Sequence, residues 1–140
     1  RLRCVTGVQT CALPIYFNSE EAIYMQLRNQ IILGIATSRL QDGDTLPSVR
    51  QMAECIGINM HTVNKAYAVL RKEGIVSIDR RKGAVICIDS NKLLALEEMR
   101  QNLYIILAKG RCHNISRQEA HRLLDEIYDM WEQSPEDPLE

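Results

Sequence analysis

Residues 57–74 constrain the fold most, because this one segment contains the start, both faces and the end of a helix. Asn59 belongs to the residue types that cap helix N-termini, and Gly74 stands where a left-handed residue ends a helix. Apolar residues recur at the helical spacing i, i+3, i+4 and i+7: Val63, Ala66, Tyr67 and Leu70. The opposite face contains His61, Asn64, Lys65 and Ala68. The pattern predicts a helix with one buried stripe and one small, polar face.

This polar helix face has two interpretations. It is typical of any amphipathic surface helix, whose outer side is simply solvated. It is also typical of the helix that a helix-turn-helix protein places in the major groove of DNA. The helix alone does not distinguish these two interpretations, so the neighbouring segments are needed to choose between them.

Two further helices are predicted before this segment. The first shows an apolar row that steps by four: Ile23, Leu27, Ile31 and Ile35. We expect Ser19 to cap this helix, and we expect it to end near Arg39. After a turn at residues 41–44, Ser48 is expected to cap a second helix, which leaves Arg50 exposed at its start. The core-facing residues of that helix are Val49, Met52, Ala53 and Ile56.

A basic β-hairpin is predicted after the long helix. Residues 75–78 and 84–88 are rich in β-branched residues, and the turn between them reads Asp79-Arg80-Arg81-Lys82-Gly83. Residues 45–88 contain seven basic and three acidic residues, a net charge of +4. Residues 89–140 contain six basic and eleven acidic residues, a net charge of −5. The first region could therefore meet phosphate. Three helices followed by a basic hairpin predict a winged helix-turn-helix that binds DNA.

These residues also form an ordered motif. It runs Gly43-x-x-Leu46-Pro47-Ser48-x-Arg50 and then Gly57-x-Asn59-x-x-Thr62-Val63-x-x-Ala66-Tyr67-x-x-Leu70-x-x-Glu73-Gly74-Ile75. The motif resembles the N-terminal domain of GntR-superfamily transcription regulators, and the resemblance covers residues 16–88. It implies a mainly helical winged helix-turn-helix domain with double-stranded DNA as its partner.

The resemblance also implies which residues contact DNA. In that family the matching arginine, the first turns of the recognition helix and the wing tip do so. The corresponding candidates in this chain are Ser48, Arg50, Asn59, Met60, His61, Thr62, Asn64, Lys65, Arg80, Arg81, Lys82 and Gly83. Two positions depart from the family pattern. Ala22 stands where proline is common before Ile23-Tyr24, and Met60 replaces a polar residue or proline, which argues against a hydrogen-bonding role at position 60.

The C-terminal part of the chain predicts two amphipathic helices. Ser90 can cap a helix that ends at about Lys109 and is closed by Gly110, and residues 116–119 form a capping box for the next helix. The apolar residues are Leu96, Met99, Leu103 and Ile106 on the first helix and Ala120, Leu123, Leu124, Ile127, Tyr128 and Trp131 on the second. A small winged domain cannot cover this surface, so we expect residues 89–134 to form a homodimer interface. YtrA-like regulators, which the chain resembles, dimerise through such a region.

The leading functional hypothesis is a dimeric, sequence-specific repressor that binds a palindromic operator near its own operon. The alternative is a winged-helix module that binds another protein. A recognition face without basic residues would support this alternative. Any small-molecule effector would sit at a dimer or domain interface, because so short a C-terminal region cannot enclose a pocket of the usual ~300 Å³ within one subunit.

An enzyme is not expected. The roughly fifty residues after Ile88 cannot hold the pyridoxal-phosphate-binding domain that some GntR relatives contain. His61, His113 and His121 have no ligand spacing with a pair of carboxylates, so we expect neither a metal nor a cofactor.

The sequence also predicts a cytoplasmic protein. No stretch approaches the ~18 apolar residues of a membrane span, and no apolar region of a signal peptide follows Arg1 and Arg3. The five cysteines are Cys4, Cys11, Cys55, Cys87 and Cys112. They contain no Cys-x-x-Cys pair and so predict neither a zinc site nor a disulfide framework.

Both ends of the chain are set apart from the predicted domains. Residues 1–15 lack periodicity and caps, and residues 5–15, Val-Thr-Gly-Val-Gln-Thr-Cys-Ala-Leu-Pro-Ile, resemble the in-frame translation of a sequencing-library adapter. We therefore expect residues 1–15 to be non-native and the native start to be absent. The alternative is a native N-terminal arm with a short strand around residues 11–16. Residues 135–140 are expected to be a frayed acidic tail.

Overall fold

The computed structural model describes residues 15–88 and 91–133. Its elements are α1 (Ile23–Ala36), α2 (Val49–Ile56), α3 (Met60–Lys72), β1 (Val76–Asp79), β2 (Gly83–Ile86), α4 (Lys92–Cys112) and α5 (Arg117–Gln133). The predicted fold class, mainly helical with one β-hairpin, is confirmed. The chain divides into two compact units after Asp89. The adapter-like residues 1–14 and the predicted tail at residues 135–140 lie outside the described residues.

The buried stripe of α3 is the centre of the first unit. Val63, Ala66 and Leu70 are completely buried, and Tyr67 is nearly so. These side chains share one core cluster with residues of α1, α2 and the hairpin: Leu27, Ile31, Met52, Ala53, Val76, Ala84 and Ile86. The stripe predicted from the spacing is therefore confirmed, and its burial joins three helices and the hairpin into one core.

Caps set the boundaries of α2 and α3. Ser48 Oγ accepts the N–H of Gln51 at 3.2 Å, and the Gln51 side chain accepts the N–H of Ser48 at 3.1 Å, which completes a capping box. Asn59 caps α3, and Gly74 follows its end with a φ of 76°. The predictions for Ser48, Asn59 and Gly74 are confirmed.

The predicted ends of the first helix are wrong. Ala22 is the N-cap of α1 and makes no side-chain capping bond. Ser19 Oγ instead accepts the N–H of Glu21 at 3.1 Å in a local turn, a competing use of a serine hydroxyl. The helix ends at Ala36 rather than near Arg39, because Ser38 adopts a left-handed conformation with a φ of 61°.

A third segment, residues 43–46, pairs with the edge of β2 that does not contact β1. β1 and β2 are antiparallel, with Val76 opposite Ile86 and Asp79 opposite Gly83. Ile86 also accepts the N–H of Gly43 and donates its own N–H to the carbonyl of Asp44, both at 2.8 Å. The sequence predicted only a turn at residues 41–44. That turn is present, and the bonds of Ile86 also fix the wing to the segment that leads into α2.

The ends of α4 also differ from the prediction. Asn91 is the cap of α4, and Ser90 lies outside the described residues. The helix continues through Gly110 to Cys112, because Asn114 supplies the left-handed residue that the sequence assigned to the glycine. The N–H groups of Asn114 and Ile115 bond the carbonyls of Arg111 and Gly110, the pattern of a Schellman motif.

Neither α4 nor α5 has a buried residue in the described part of the chain. Consecutive apolar residues of α4 are exposed: Tyr104 by 74%, Ile105 by 65%, Ile106 by 61% and Leu107 by 48%. On α5 the half-buried residues form one row: Ala120, Leu124, Ile127 and Trp131. Four consecutive exposed apolar side chains form a larger apolar patch than a solvated helix normally carries, so a single copy of the chain leaves apolar surface of α4 uncovered.

The described cysteines differ in their bonding state. Cys87 and Cys112 are free and exposed, but Cys55 is disulfide-bonded. The sequence could not reveal the bonding of Cys55, because disulfide connectivity cannot be deduced from sequence alone.

The Tyr67 hydroxyl should contribute measurably to stability. It donates to the carbonyl oxygen of Pro47 at 2.7 Å inside the core and so ties α3 to the residue before the α2 cap. Tyr67→Phe leaves that buried carbonyl without this donor, so we expect the free energy of unfolding to fall by about 1–3 kcal/mol. Urea unfolding followed by circular dichroism measures the loss. Tyr16→Phe, which removes a hydroxyl from an exposed side chain outside both proposed interfaces, is the control. Equal unfolding free energies for the two variants would contradict this account.

Candidate nucleic-acid interface

The turn between α2 and α3 is fixed by hydrogen bonds. Gly57 is left-handed, and the N–H groups of Gly57 and Ile58 both donate to the carbonyl of Ala53, at 2.9 and 3.1 Å. Asn59 Oδ1 then accepts the N–H of His61 at 2.8 Å and starts α3. These contacts constrain the angle at which α3 follows α2.

The outer face of α3 presents the side chains that the sequence assigned to it. His61, Asn64 and Lys65 are exposed, together with the small Ala68. Near the N-terminus, Met60 is 50% exposed and Thr62 is half-buried. Imidazole, amide and ammonium groups on one helix face supply both donors and acceptors, which is the chemistry that reads base edges.

Lys65 also contacts the first helix. Its Nζ lies 4.1 Å from the centroid of the Tyr24 ring. A cation above an aromatic face is attracted by the negative face of the ring. The contact therefore restricts where the ammonium group sits on the outer face of α3.

Arg50 lies in the first turn of α2, between Ser48 and Gln51, the two residues of the capping box. Its Nε donates to Glu54 Oε1 at 3.1 Å, and the two side chains are 78% and 67% exposed. An exposed ion pair of this kind contributes at most about 1 kcal/mol, so an anionic ligand can compete for the guanidinium group. The structure places a basic group and an acidic group side by side on this surface.

The wing tip presents three exposed bases, Arg80, Arg81 and Lys82, on an ordered backbone. Asp79 Oδ1 accepts the N–H of Arg81 at 2.7 Å and the N–H of Lys82 at 2.8 Å, and Gly83 has a φ of 80°. The hydrogen bonds from Lys82 and Arg81 hold the pKa of the Asp79 carboxyl below its usual value. The turn should therefore keep both hydrogen bonds to the Asp79 carboxylate at neutral pH and lose them only as the pH falls through the lowered pKa.

Three contacts at this surface were not predicted from the sequence, although two of them have a local signal. Glu54 stands four residues after Arg50, the spacing of an ion pair along a helix. An aspartate at the start of a turn commonly accepts backbone N–H groups further along the turn, as Asp79 does. The contact of Tyr24 with Lys65 joins two helices and left no local signal.

The chemistry of the described surface is that of basic and hydrogen-bonding groups. In residues 15–88 and 91–133, no group of three or more His, Cys, Asp or Glu residues could hold a metal ion. No helix in those ranges is long and apolar enough to cross a membrane. Basic groups with hydrogen-bonding side chains beside them suit a polyanion that has readable base edges.

Three helices, a capped third helix with a polar outer face and a basic hairpin define a winged helix-turn-helix DNA-binding protein. The sequence profile of "Bacterial regulatory proteins, gntR family" matches residues 19–86. The chain is also 31% identical over 117 residues to "HTH-type transcriptional repressor YtrA" of Bacillus subtilis, an alignment that covers 81% of this chain and 84% of the relative. The chain therefore belongs to the GntR family of transcription regulators.

Solved structures are similar to this one. "Transcriptional Antiterminator from Listeria monocytogenes EGD-e" superposes with a TM-score of 0.72 and 30% identity, over 81% of this chain and 87% of that one. "YtrA from Sulfolobus acidocaldarius, a GntR-family transcription factor" superposes with a TM-score of 0.59 and 36% identity, over 69% and 97%. The predicted YtrA-like membership is confirmed. The chain is a DNA-binding transcription regulator.

Proposed function

We propose that this protein is a dimeric repressor that binds a palindromic operator near its own operon. Its regulatory and DNA-binding role follows from the family. Repression is supported by the similarity to Bacillus subtilis YtrA, which is named a repressor. The dimer rests on the observation that α4 and α5 have no buried residue among those described, while their large apolar residues are exposed. Because such a regulator acts on the chromosome, we place it in the cytoplasm.

We assign the N-terminal half of α3 to the major groove. Recognition helices contact base edges through their first turns, which here are residues 59–65. His61 and Asn64 are exposed and can both donate and accept hydrogen bonds, so they are the base-reading candidates. Arg50, with its neighbour Ser48, would contact phosphate beside this groove and so position the helix.

We assign the wing tip, residues 80–83, to the adjacent minor groove. Its three bases are exposed, and its backbone is ordered by Asp79. A narrow A·T-rich minor groove has the most negative potential and attracts arginine and lysine. The wing would therefore favour operators with A·T-rich flanks.

The second unit would form the dimer interface. Its proposed residues are Leu96, Met99, Leu103, Ile106, Leu123, Leu124, Ile127, Tyr128 and Trp131. We add Tyr104 and Ile105 to this interface, because both are exposed and lie directly beside Leu103 and Ile106 on α4. A second copy of the chain supplies that surface by two-fold symmetry.

Two-fold symmetry has a consequence for the operator and for any effector. It places two recognition helices about 34–36 Å apart, or a multiple of that distance, on a palindromic site. An effector would have to bind at the dimer or domain interface, because two helices alone do not enclose a pocket of ~300 Å³ or more.

Replacing Asn64 or His61 with alanine should change base preference. Each lost base contact should cost about 1–3 kcal/mol at one operator position and little at others. Selection of duplexes from a random-sequence pool, followed by fluorescence anisotropy, measures both effects. Arg50→Ala is the contrasting variant: it should weaken every duplex and lower the slope of log affinity against log salt concentration by about one. A uniform loss for Asn64→Ala across all sequences would count against base reading.

Charges placed in the apolar row of α4 should dissociate the dimer. In the double variant Leu103→Glu and Ile106→Glu, two side chains that each contribute about 1.5–3 kcal/mol on burial become charged. We expect a dissociation constant at least a hundredfold higher. The control, Gln101→Glu with Asn102→Glu, adds the same charges at exposed polar positions of the same helix. Sedimentation velocity at micromolar concentration should show dimers for wild type and control only. A monomeric wild type, or a dimeric Leu103→Glu, Ile106→Glu variant, would refute the proposal.

A further inference from the structure

An acidic residue stands where the proposed DNA surface is most basic. Asp79 directly precedes Arg80, Arg81 and Lys82, and its carboxylate reduces the attraction of the tip for phosphate. Its two hydrogen bonds indicate a different role. One oxygen, Oδ1, accepts both the Arg81 and the Lys82 backbone N–H.

These two bonds close a part of the hairpin that the strand ladder does not reach. The paired register ends where Asp79 lies opposite Gly83, so residues 80–82 lie outside it. The N–H groups of Arg81 and Lys82 are directed to the carboxylate, and they do not depend on a partner strand. Without that oxygen these exposed N–H groups would bond water, and the tip would sample several conformations.

We propose that Asp79 is a positioning residue of the DNA site, which holds the wing tip in the conformation that presents Arg80, Arg81 and Lys82 to the groove. This inference rests on the minor-groove role assigned to the wing under the proposed function. A tip that is ordered in advance does not have to lose backbone entropy when DNA binds. The gain from this order exceeds the repulsion that one negative charge adds.

The role of hydrogen bonding can be separated from the role of charge. Asp79→Asn keeps a side-chain carbonyl oxygen at the accepting position and removes the charge, whereas Asp79→Ala removes both. If order at the tip matters, asparagine rescues binding and alanine does not. If only charge matters, the two variants behave alike.

The experiment uses the full chain and four proteins: wild type, Asp79→Asn, Asp79→Ala and the triple tip variant Arg80→Ala, Arg81→Ala, Lys82→Ala. The probes are two duplexes that share a core selected by the wild type from a random pool, one with A·T-rich and one with G·C-rich flanks. Fluorescence anisotropy gives the affinity for each. Amide hydrogen exchange at Arg81 and Lys82 reports the order of the free tip, and thermal unfolding checks that the fold is intact.

We expect Asp79→Ala to bind the A·T-flanked duplex roughly tenfold more weakly than wild type. It should also lose the preference for A·T flanks and exchange faster at both amides. Asp79→Asn should keep the preference and the slow exchange and bind at least as tightly as wild type. Equal affinity and equal flank preference of the alanine and asparagine variants would overturn the role of Asp79.

The triple tip variant separates the two proposals. If it loses affinity and flank preference while Asp79→Ala does not, the wing contacts DNA and only the role of Asp79 is refuted. If it binds both duplexes as wild type does, the minor-groove role of the wing fails, and the role of Asp79 fails with it.

Discussion

Burial of one stripe of α3 is the contact on which the rest of the DNA-binding unit depends. Val63, Ala66 and Leu70 are completely buried, and they share a core with side chains from two other helices and the hairpin. The same burial fixes the rotation of the helix about its axis, so His61, Asn64 and Lys65 must face outward. Stability and the direction of the candidate DNA-reading face therefore have one cause.

The two other elements of the candidate interface are fixed to this core by polar contacts. The Tyr67 hydroxyl donates to the carbonyl of Pro47, which directly precedes the capping box that starts α2 and contains Arg50. Backbone bonds between the segment leading into α2 and β2 hold the wing. Two acidic side chains add local contacts. Glu54 pairs with the Arg50 guanidinium, and Asp79 accepts hydrogen bonds from the backbone of the wing tip. We infer that these contacts prepare the surface for DNA before DNA arrives.

Much of this unit could be predicted because its signals are local. The period of Val63, Ala66, Tyr67 and Leu70 revealed the stripe, and Ser48 and Asn59 revealed two caps. Contacts between distant segments left no such signal, among them Tyr24 on Lys65 and the extra pairing of β2. The predicted end of α4 was wrong for another reason. A glycine is tolerated inside a helix at a cost of about 1 kcal/mol, and Asn114 could take the left-handed position instead of Gly110.

The central claim is that two copies of the chain place α3 in the major groove and the wing in the flanking minor groove. Methylation interference with dimethyl sulfate tests both parts together, because the reagent modifies guanine N7 in the major groove and adenine N3 in the minor groove. On a duplex selected by the full chain, the account predicts two symmetry-related patches of guanine N7 interference. Their centres should lie about 10–10.5 base pairs apart, or a multiple of that spacing, each beside adenine N3 interference in an A·T-rich flank. A single guanine patch without a symmetry mate, or interference confined to adenine N3, would contradict it.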